Sequence, residues 1–224
     1  LRRSCDRLPA SLEGLKPILI YPVAGLLFIG AFMCAVNPFV GMLNNALTGG
    51  LNSMGGSSAL LLGALVAGMQ ATDMGGPINK AAYVFGTASI AMAEGGFSPV
   101  MAAVMAGGMV PPLAIALATI FFKDRFTADE RKSGPVNFIM GLSFITEGAI
   151  PFAASDPLHV LPACIAGSAA AGALSMAFGC ASPAPHGGLF VFPVIRNPLG
   201  YAAAVLIGAV AGMFLLGLLK KKKV

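Results

Sequence analysis

Phe144-Ile145-Thr146-Glu147-Gly148-Ala149-Ile150-Pro151-Phe152, with Asp156-Pro157 just behind, sets one carboxylate in the middle of an apolar run. An ionisable group at the centre of a bilayer costs about 2.5–3.5 kcal/mol on insertion scales, which makes Glu147 a functional candidate by default. Composition puts the stretch in a bilayer. The 224 residues are 57% hydrophobic and 10% charged, against about 25% charged for soluble domains, and the mean hydropathy is +0.84. The fold class is therefore all-α and membrane-integral. The 29 Gly and 16 Pro are too many for a plain bundle of straight spans; both residues are tolerated in spans where neighbours re-satisfy freed backbone groups.

Outward from Glu147, the chain alternates apolar blocks with polar breaks. Ile18 to Val36 is long enough to cross about 30 Å of hydrocarbon, and Asn44 to Ser58 reads as turns or an interfacial segment. Ala59 to Ala71 and Ala81 to Ala93 are short blocks joined by Gln70-Ala71-Thr72-Asp73-Met74-Gly75-Gly76-Pro77-Ile78-Asn79-Lys80, a pattern of broken or re-entrant helices around a site. Pro99 to Phe122 is a span interrupted by Pro111-Pro112. Leu158 to Phe178 and Tyr201 to Leu219 are clean spans, separated by Ser182 to Gly188 and by Leu189 to Ile195, which is too short to cross. The expected organisation is a cytoplasmic linker over 1–16, a membrane transport domain over 17–219 and a basic tail over 220–224. Starting at Leu1, the chain reads as a piece beginning in that linker.

Basic clusters at Arg2 to Lys16, Lys123 to Lys132 and Lys220 to Lys223 all face the cytoplasm by the positive-inside rule. Three apolar blocks separate Lys132 from Lys220, yet the number of crossings between two cytoplasmic clusters is even. The block containing Glu147 resolves the parity as a re-entrant hairpin turning at Gly148 and Pro151.

Three polar nodes carry the candidate chemistry. Glu147, beside Thr146, is expected to be buried, where it could grip a polyhydroxylated ligand or accept a proton from one hydroxyl; the structural alternative is a carboxylate paired to a buried lysine. Asp73, Asn79 and Lys80 flank Gly75-Gly76-Pro77, whose unwound backbone could face a polar ligand; Lys80 could neutralise either acid or a phosphoryl group, and the bland reading is an Asp73–Lys80 pair holding a loop. His186, in Pro185-His186-Gly187-Gly188, is a sugar or proton contact or merely an interfacial loop residue. His159 reads as interfacial. Cys5, Cys34, Cys164 and Cys180 lack paired spacing, so neither a disulfide framework nor a metal site is expected, and no cofactor is implied. No phosphate-binding Gly-x-x-x-x-Gly-Lys-Ser/Thr loop is present. The net charge of +5 comes from the termini and one loop, and is not a nucleic-acid patch.

Together, Asp73 to Lys80, Phe144 to Phe152 and Ala184-Pro185-His186-Gly187-Gly188 resemble one family: the membrane-spanning IIC component of the fructose-specific permeases of the phosphoenolpyruvate-dependent sugar phosphotransferase system. The Ile145-Thr146-Glu147 core is similar to the sugar-contacting segment of the wider glucose/fructose/lactose transporter superfamily. The resemblance implies a multi-span helical transporter in the bacterial inner membrane, homodimeric, working by alternating access. It would bind fructose or a related hexose for phosphorylation to fructose 1-phosphate by a phosphocysteine on a IIB domain, itself charged by IIA. It further implies that Glu147 contacts the sugar and serves the catalytic step, and that Asp73, Asn79 and His186 help line the site. None of the four Cys sits in a phosphocysteine context, so this chain is not expected to phosphorylate sugar by itself. IIB docking is expected near Lys123 to Lys132. The competing reading is an ion-coupled secondary sugar transporter using Asp73 and Glu147 as proton or sodium sites.

Overall fold

The computed structural model describes residues 21–52 and 58–222. The chain divides into two units, Leu1–Gly50 and Leu51–Val224. The described part of the first is helix α1, Tyr21–Asn52, whose last two residues pass the boundary. Of the two readings of Asn44 to Ser58, turns or an interfacial segment, the turns give way to helix as far as Asn52, while 53–57 lie outside the described residues. Asn and Gly each cost a helix about 1 kcal/mol or less, which is too little to stop it.

In the second unit the helices are α2 (Ala59–Thr72), α3 (Pro77–Met92), α4 (Pro99–Phe121), α5 (Ala128–Ser133), α6 (Val136–Leu142), α7 (Ile150–Ser155), α8 (Pro157–Ala177) and α9 (Pro198–Leu219). Three of these, α4, α8 and α9, are long and apolar enough to cross a membrane. α4 is the central post, buried without a gap from Met101 to Ala116. Small residues let the other helices close on each other: Gly63 faces Gly172, and Gly167 faces Gly208 and Gly212.

Pro111-Pro112 do not interrupt α4, contrary to expectation. Each proline removes the N–H that would bond the carbonyl four residues earlier, which frees the carbonyls of Gly107 and Gly108. Both find hydroxyls on neighbouring elements. Ser168 Oγ donates to Gly107 O at 2.8 Å, and Thr146 Oγ1 donates to Gly108 O at 2.8 Å. The same two glycines give up their side chains to close approach: a Cβ on Gly107 would lie 2.5 Å from Ala67 Cα, and one on Gly108 would strike the Phe144 ring.

One end of the unit is basic. There Phe122, just past α4, packs on Phe214 of α9 with ring centroids 6.2 Å apart, and Arg125 Nη1 donates to Lys220 O. At the far end Ser98 and Ser182 exchange backbone hydrogen bonds of 3.0 and 2.9 Å, and the Arg196 guanidinium lies 4.5 Å over Phe97.

Two hairpins enter this frame from opposite ends. From the basic end, Gly134 lies against Thr119, Gly141 against Leu113 and Thr146 against Gly108, so the chain climbs about halfway along α4. It then turns through a 3-10 segment, Thr146–Ala149, and comes back down α7. Phe152 returns to Phe126 at 6.4 Å, and Ser155 Oγ donates to Glu130 Oε1 at 3.0 Å. This is the re-entrant hairpin that charge parity required. The other hairpin, α2–α3, descends beside α8, turns at Asp73 to Gly76 and returns to the far end, where the Ser89 and Ser98 hydroxyls meet at 2.5 Å.

Candidate functional site

The two tips meet at Glu147. Gly75, at φ +113°, approaches it so closely that a Cβ there would sit 2.8 Å from Glu147 Oε1. Each tip also holds a bulky residue in the left-handed region, Met74 at φ 43° and Phe144 at φ 60°. Backbone strain of this kind costs about 1–3 kcal/mol per residue and persists only where surrounding structure enforces it.

Between the tips opens a cavity of ≈ 260 Å³ lined by Gln70, Asn79, Lys80, Tyr83, Phe144, Thr146, Glu147 and His186, just below the roughly 300–1,000 Å³ range of small-molecule pockets. Five of the six residues singled out from the sequence are therefore neighbours. The sixth, Asp73, is not brought to this cavity. Its Oδ2 accepts from Ile78 N at 2.7 Å and its Oδ1 from Asn79 N at 2.9 Å, so its carboxylate caps the first turn of α3, where the helix dipole favours an anion. No ion pair joins it to Lys80.

Glu147 differs from its expected burial. Its side chain is 47% exposed, and its described ion pair, to Lys80 Nζ, is long at 3.5 Å. The tight 3-10 turn sends neighbouring side chains apart: Thr146 into α4, Glu147 into the cavity. The Thr146 hydroxyl donates to Gly108 O and keeps lone pairs to accept from a ligand.

Asn79 is fixed by an amide clamp that the sequence did not reveal. Its Nδ2 donates to Gln70 O at 2.8 Å and to Gln70 Oε1 at 2.9 Å; Gln70 Nε2 donates back to Asn79 O at 3.0 Å. Both are buried, and the clamp ties the end of α2 to the start of α3. Gln70 is a lining residue whose signal was an amide in an apolar helix just before the break. Tyr83 was also missed; it follows Lys80 by one helical turn, and with Phe144 it brackets His186. The His186–Phe144 centroids are 4.8 Å apart and those of His186–Tyr83 6.4 Å. The cavity thus offers one half-exposed carboxylate in a long ion pair with one ammonium, several amide and hydroxyl groups and an aromatic wall, a set suited to a polyhydroxylated ligand. No group of three or more metal-binding side chains occurs among the described residues.

At the basic end a second polar cluster holds the hairpin's foot. Lys220 Nζ, fully buried, lies 3.3 Å from Asp156 Oδ2 and 3.8 Å from Glu130 Oε1, and 5.2 Å from the centre of the Phe126 ring. His159 Nδ1 lies 2.6 Å from Asp156 Oδ1. Burial pushes the Asp156 carboxyl up, but hydrogen bonds and charge from His159 and Lys220 outweigh it and hold the group below the ordinary carboxylate range. Lys220 is thereby set apart from the exposed Lys221 and Lys222.

Residues 7–167 match the family model described as Phosphotransferase system, EIIC. The match takes in Asp73, Asn79, Lys80, Thr146 and Glu147 and stops before His186. The chain is similar to the PTS system fructose-specific EIIABC component of Bacillus subtilis (strain 168), with 49% identity over 222 residues, 99% of this chain and 34% of that protein. It is 49% identical over 215 residues to the fructose permease IIC component of Bacillus amyloliquefaciens, 96% of this chain and 69% of that protein. To the PTS system fructose-specific EIIB'BC component of Escherichia coli (strain K12) it is 47% identical over 223 residues, 97% of this chain and 39% of that protein. The chain thus spans between about a third and two thirds of the length of these relatives. No solved structure matches it. With its three membrane-length apolar helices, the chain is an integral membrane protein.

Proposed function

Because the chain belongs to the EIIC family of the phosphotransferase system, we propose that it is the sugar-translocating part of a fructose permease. The observation that carries this reading is the meeting of two hairpins from opposite ends at one half-exposed carboxylate, Glu147. Such a site can be opened to either side by moving the tips. Sugar hydroxyls bond to Glu147, Asn79, Lys80, Thr146 and His186, while the Tyr83–His186–Phe144 wall covers an apolar face of the ring. Asp73 acts through the backbone, as a positioning residue for Asn79 and Lys80.

Phosphorylation then takes place on the bound sugar. The C1 hydroxyl oxygen attacks phosphorus on the IIB phosphocysteine, the S–P bond breaks and a thiolate leaves. Glu147 accepts the hydroxyl proton, Lys80 offsets charge on the arriving phosphoryl group, and the product is fructose 1-phosphate. The proposal includes a multi-pass arrangement in the inner membrane with the basic end cytoplasmic, IIA and IIB as partners, and a homodimer. Its organisation is a linker over 1–16, the transport domain over 17–219 and a basic tail over 220–224.

The test is phosphoenolpyruvate-dependent fructose phosphorylation by membranes holding the complete permease and supplied with the soluble carriers. Glu147→Gln abolishes it. Near-normal activity in that variant overturns the role of Glu147, and uptake of unmodified sugar driven by a pH gradient without a phosphoryl donor overturns the phosphotransfer reading.

A further inference from the structure

The short helix α5 separates its charges between two grooves. Asp129, Glu130 and Ser133 line one, together with Phe152 and Ser155, and that side holds Lys220. Ala128, Arg131 and Lys132, at helical spacing, line the other with Thr119, Ile120 and Lys123. This basic groove has a volume of ≈ 460 Å³. Lys123, Arg131 and Lys132 are all exposed, and none has an ion pair to a carboxylate among the described residues. The acids that could neutralise them are turned to the opposite side of the same helix, and Asp124 is engaged by Arg125 at 3.8 Å and Lys222 at 3.4 Å.

The groove's lining is partly apolar. Ile120, in its wall, is 42% exposed, and Phe121 beside it at the last turn of α4 is 68% exposed; in the hairpin that follows α5, Val136 and Ile139 are 55% and 71% exposed. Large apolar side chains on a membrane protein lie against acyl chains, so the cations sit where hydrocarbon meets headgroups. Basic pockets between helices at that level bind anionic headgroups, and lysine and arginine stems reach along apolar surface to place their charges there. The carrier domain expected to dock near Lys123 to Lys132 is the competing occupant; it would have to seat on the same exposed apolar Ile120, which favours lipid in the groove itself.

We propose that the groove formed by Thr119, Lys123, Arg131 and Lys132 binds the headgroup phosphate of an anionic phospholipid. Arg131 supplies a planar fork for two phosphate oxygens, Lys123 and Lys132 supply point charges, and the acyl chains run along Ile120, Phe121 and Ile139. A lipid held there bridges α4 to the foot of the Glu147 hairpin.

The purified chain in a mild detergent is titrated with phosphatidylglycerol or phosphatidylcholine, and the bound fraction is read by native mass spectrometry. Phosphatidylglycerol binds at least about tenfold more tightly. The preference disappears in Lys123→Gln/Arg131→Gln/Lys132→Gln, is already reduced in Lys123→Gln/Arg131→Gln, and persists in Lys221→Gln/Lys222→Gln, which removes two exposed charges from the same end. If the triple variant fails to fold, each single substitution still lowers the preference about threefold. Equal affinity for the two lipids overturns the proposal, as does a preference that survives the triple variant. Equal loss in the tail variant also overturns it, by revealing a diffuse surface potential. Complete displacement of the lipid by millimolar inorganic phosphate would assign the groove to a soluble phosphoryl group, such as that of a docking carrier domain, and overturns the lipid assignment.

Discussion

The two hairpin tips each present one carboxylate, yet Asp73 and Glu147 are committed to different work. Asp73 has both oxygens on backbone amides of its own hairpin. Glu147 makes no such bonds among the described residues; it faces a cavity, half-exposed, with Lys80 at 3.5 Å. An acid that caps a helix cannot readily exchange its partners for a ligand's hydroxyls, because two N–H groups would then be orphaned. An acid held by one long, water-screened ion pair can. The same residue type in the same kind of Gly/Pro-bounded tip is therefore bonded to its own backbone in one hairpin and left facing a cavity in the other; the proposed function assigns the reactive role to the second.

The comparison can be broken from below, by removing what holds the tips. Thr146→Val leaves the Gly108 carbonyl unpaired beside Pro112, at a cost of about 1–3 kcal/mol. Its melting temperature in detergent should fall well below that of the unaltered chain. Ser168→Ala orphans the Gly107 carbonyl and should act alike, although it lies outside the cavity lining. Asp73→Ala removes a helix cap, a loss of about 0.5–2 kcal/mol; hydrogen exchange should quicken at Ile78 and Asn79 first. Lys80→Gln should change stability least, by about 1 kcal/mol or less, because the pair it breaks is exposed, while sugar affinity weakens.

A smaller effect distinguishes the foot of the Glu147 hairpin from its tip. Asp156 is held below its ordinary pKa of 3.8, so its contribution to stability is complete above that value and is lost as pH falls through the lower folded pKa. Melting temperature should therefore be insensitive to this group between pH 5 and 8, a range taken from that direction of shift, and should decline below about 3.8. In Asp156→Asn the acid-side decline should be shallower.

The hairpin carrying Glu147 was legible from the sequence because charge parity is a counting constraint: two basic clusters expected on one side leave an even number of crossings. The meeting of Asn79, Lys80, Thr146, Glu147 and His186 was legible because each sits in a polar break. What could not be read depends on contacts distant in sequence. α4 continues through Pro111-Pro112 because hydroxyls from residues 146 and 168 reach carbonyls 107 and 108. The Gln70–Asn79 clamp requires knowing that α2 and α3 fold back on each other. The cap made by Asp73 was not legible because a carboxylate beside Gly-Gly-Pro fits a ligand site and a helix start equally well; Pro77 at the first helical position was the available clue. Asn44 to Asn52 is helix and not turn because Asn and Gly are only weak helix breakers.

The division of labour between the two acids is tested most directly by comparing Glu147→Gln with Asp73→Asn in the complete permease, measuring the initial rate of phosphoenolpyruvate-dependent fructose phosphorylation in membranes with matched protein levels. Glu147→Gln should lose at least about 100-fold, the scale of a missing proton acceptor, with its melting temperature unchanged. Asp73→Asn should keep most of its rate and melt earlier. The reverse order, with Asp73→Asn inactive and Glu147→Gln active, would contradict the assignment of Glu147 as the reactive carboxylate.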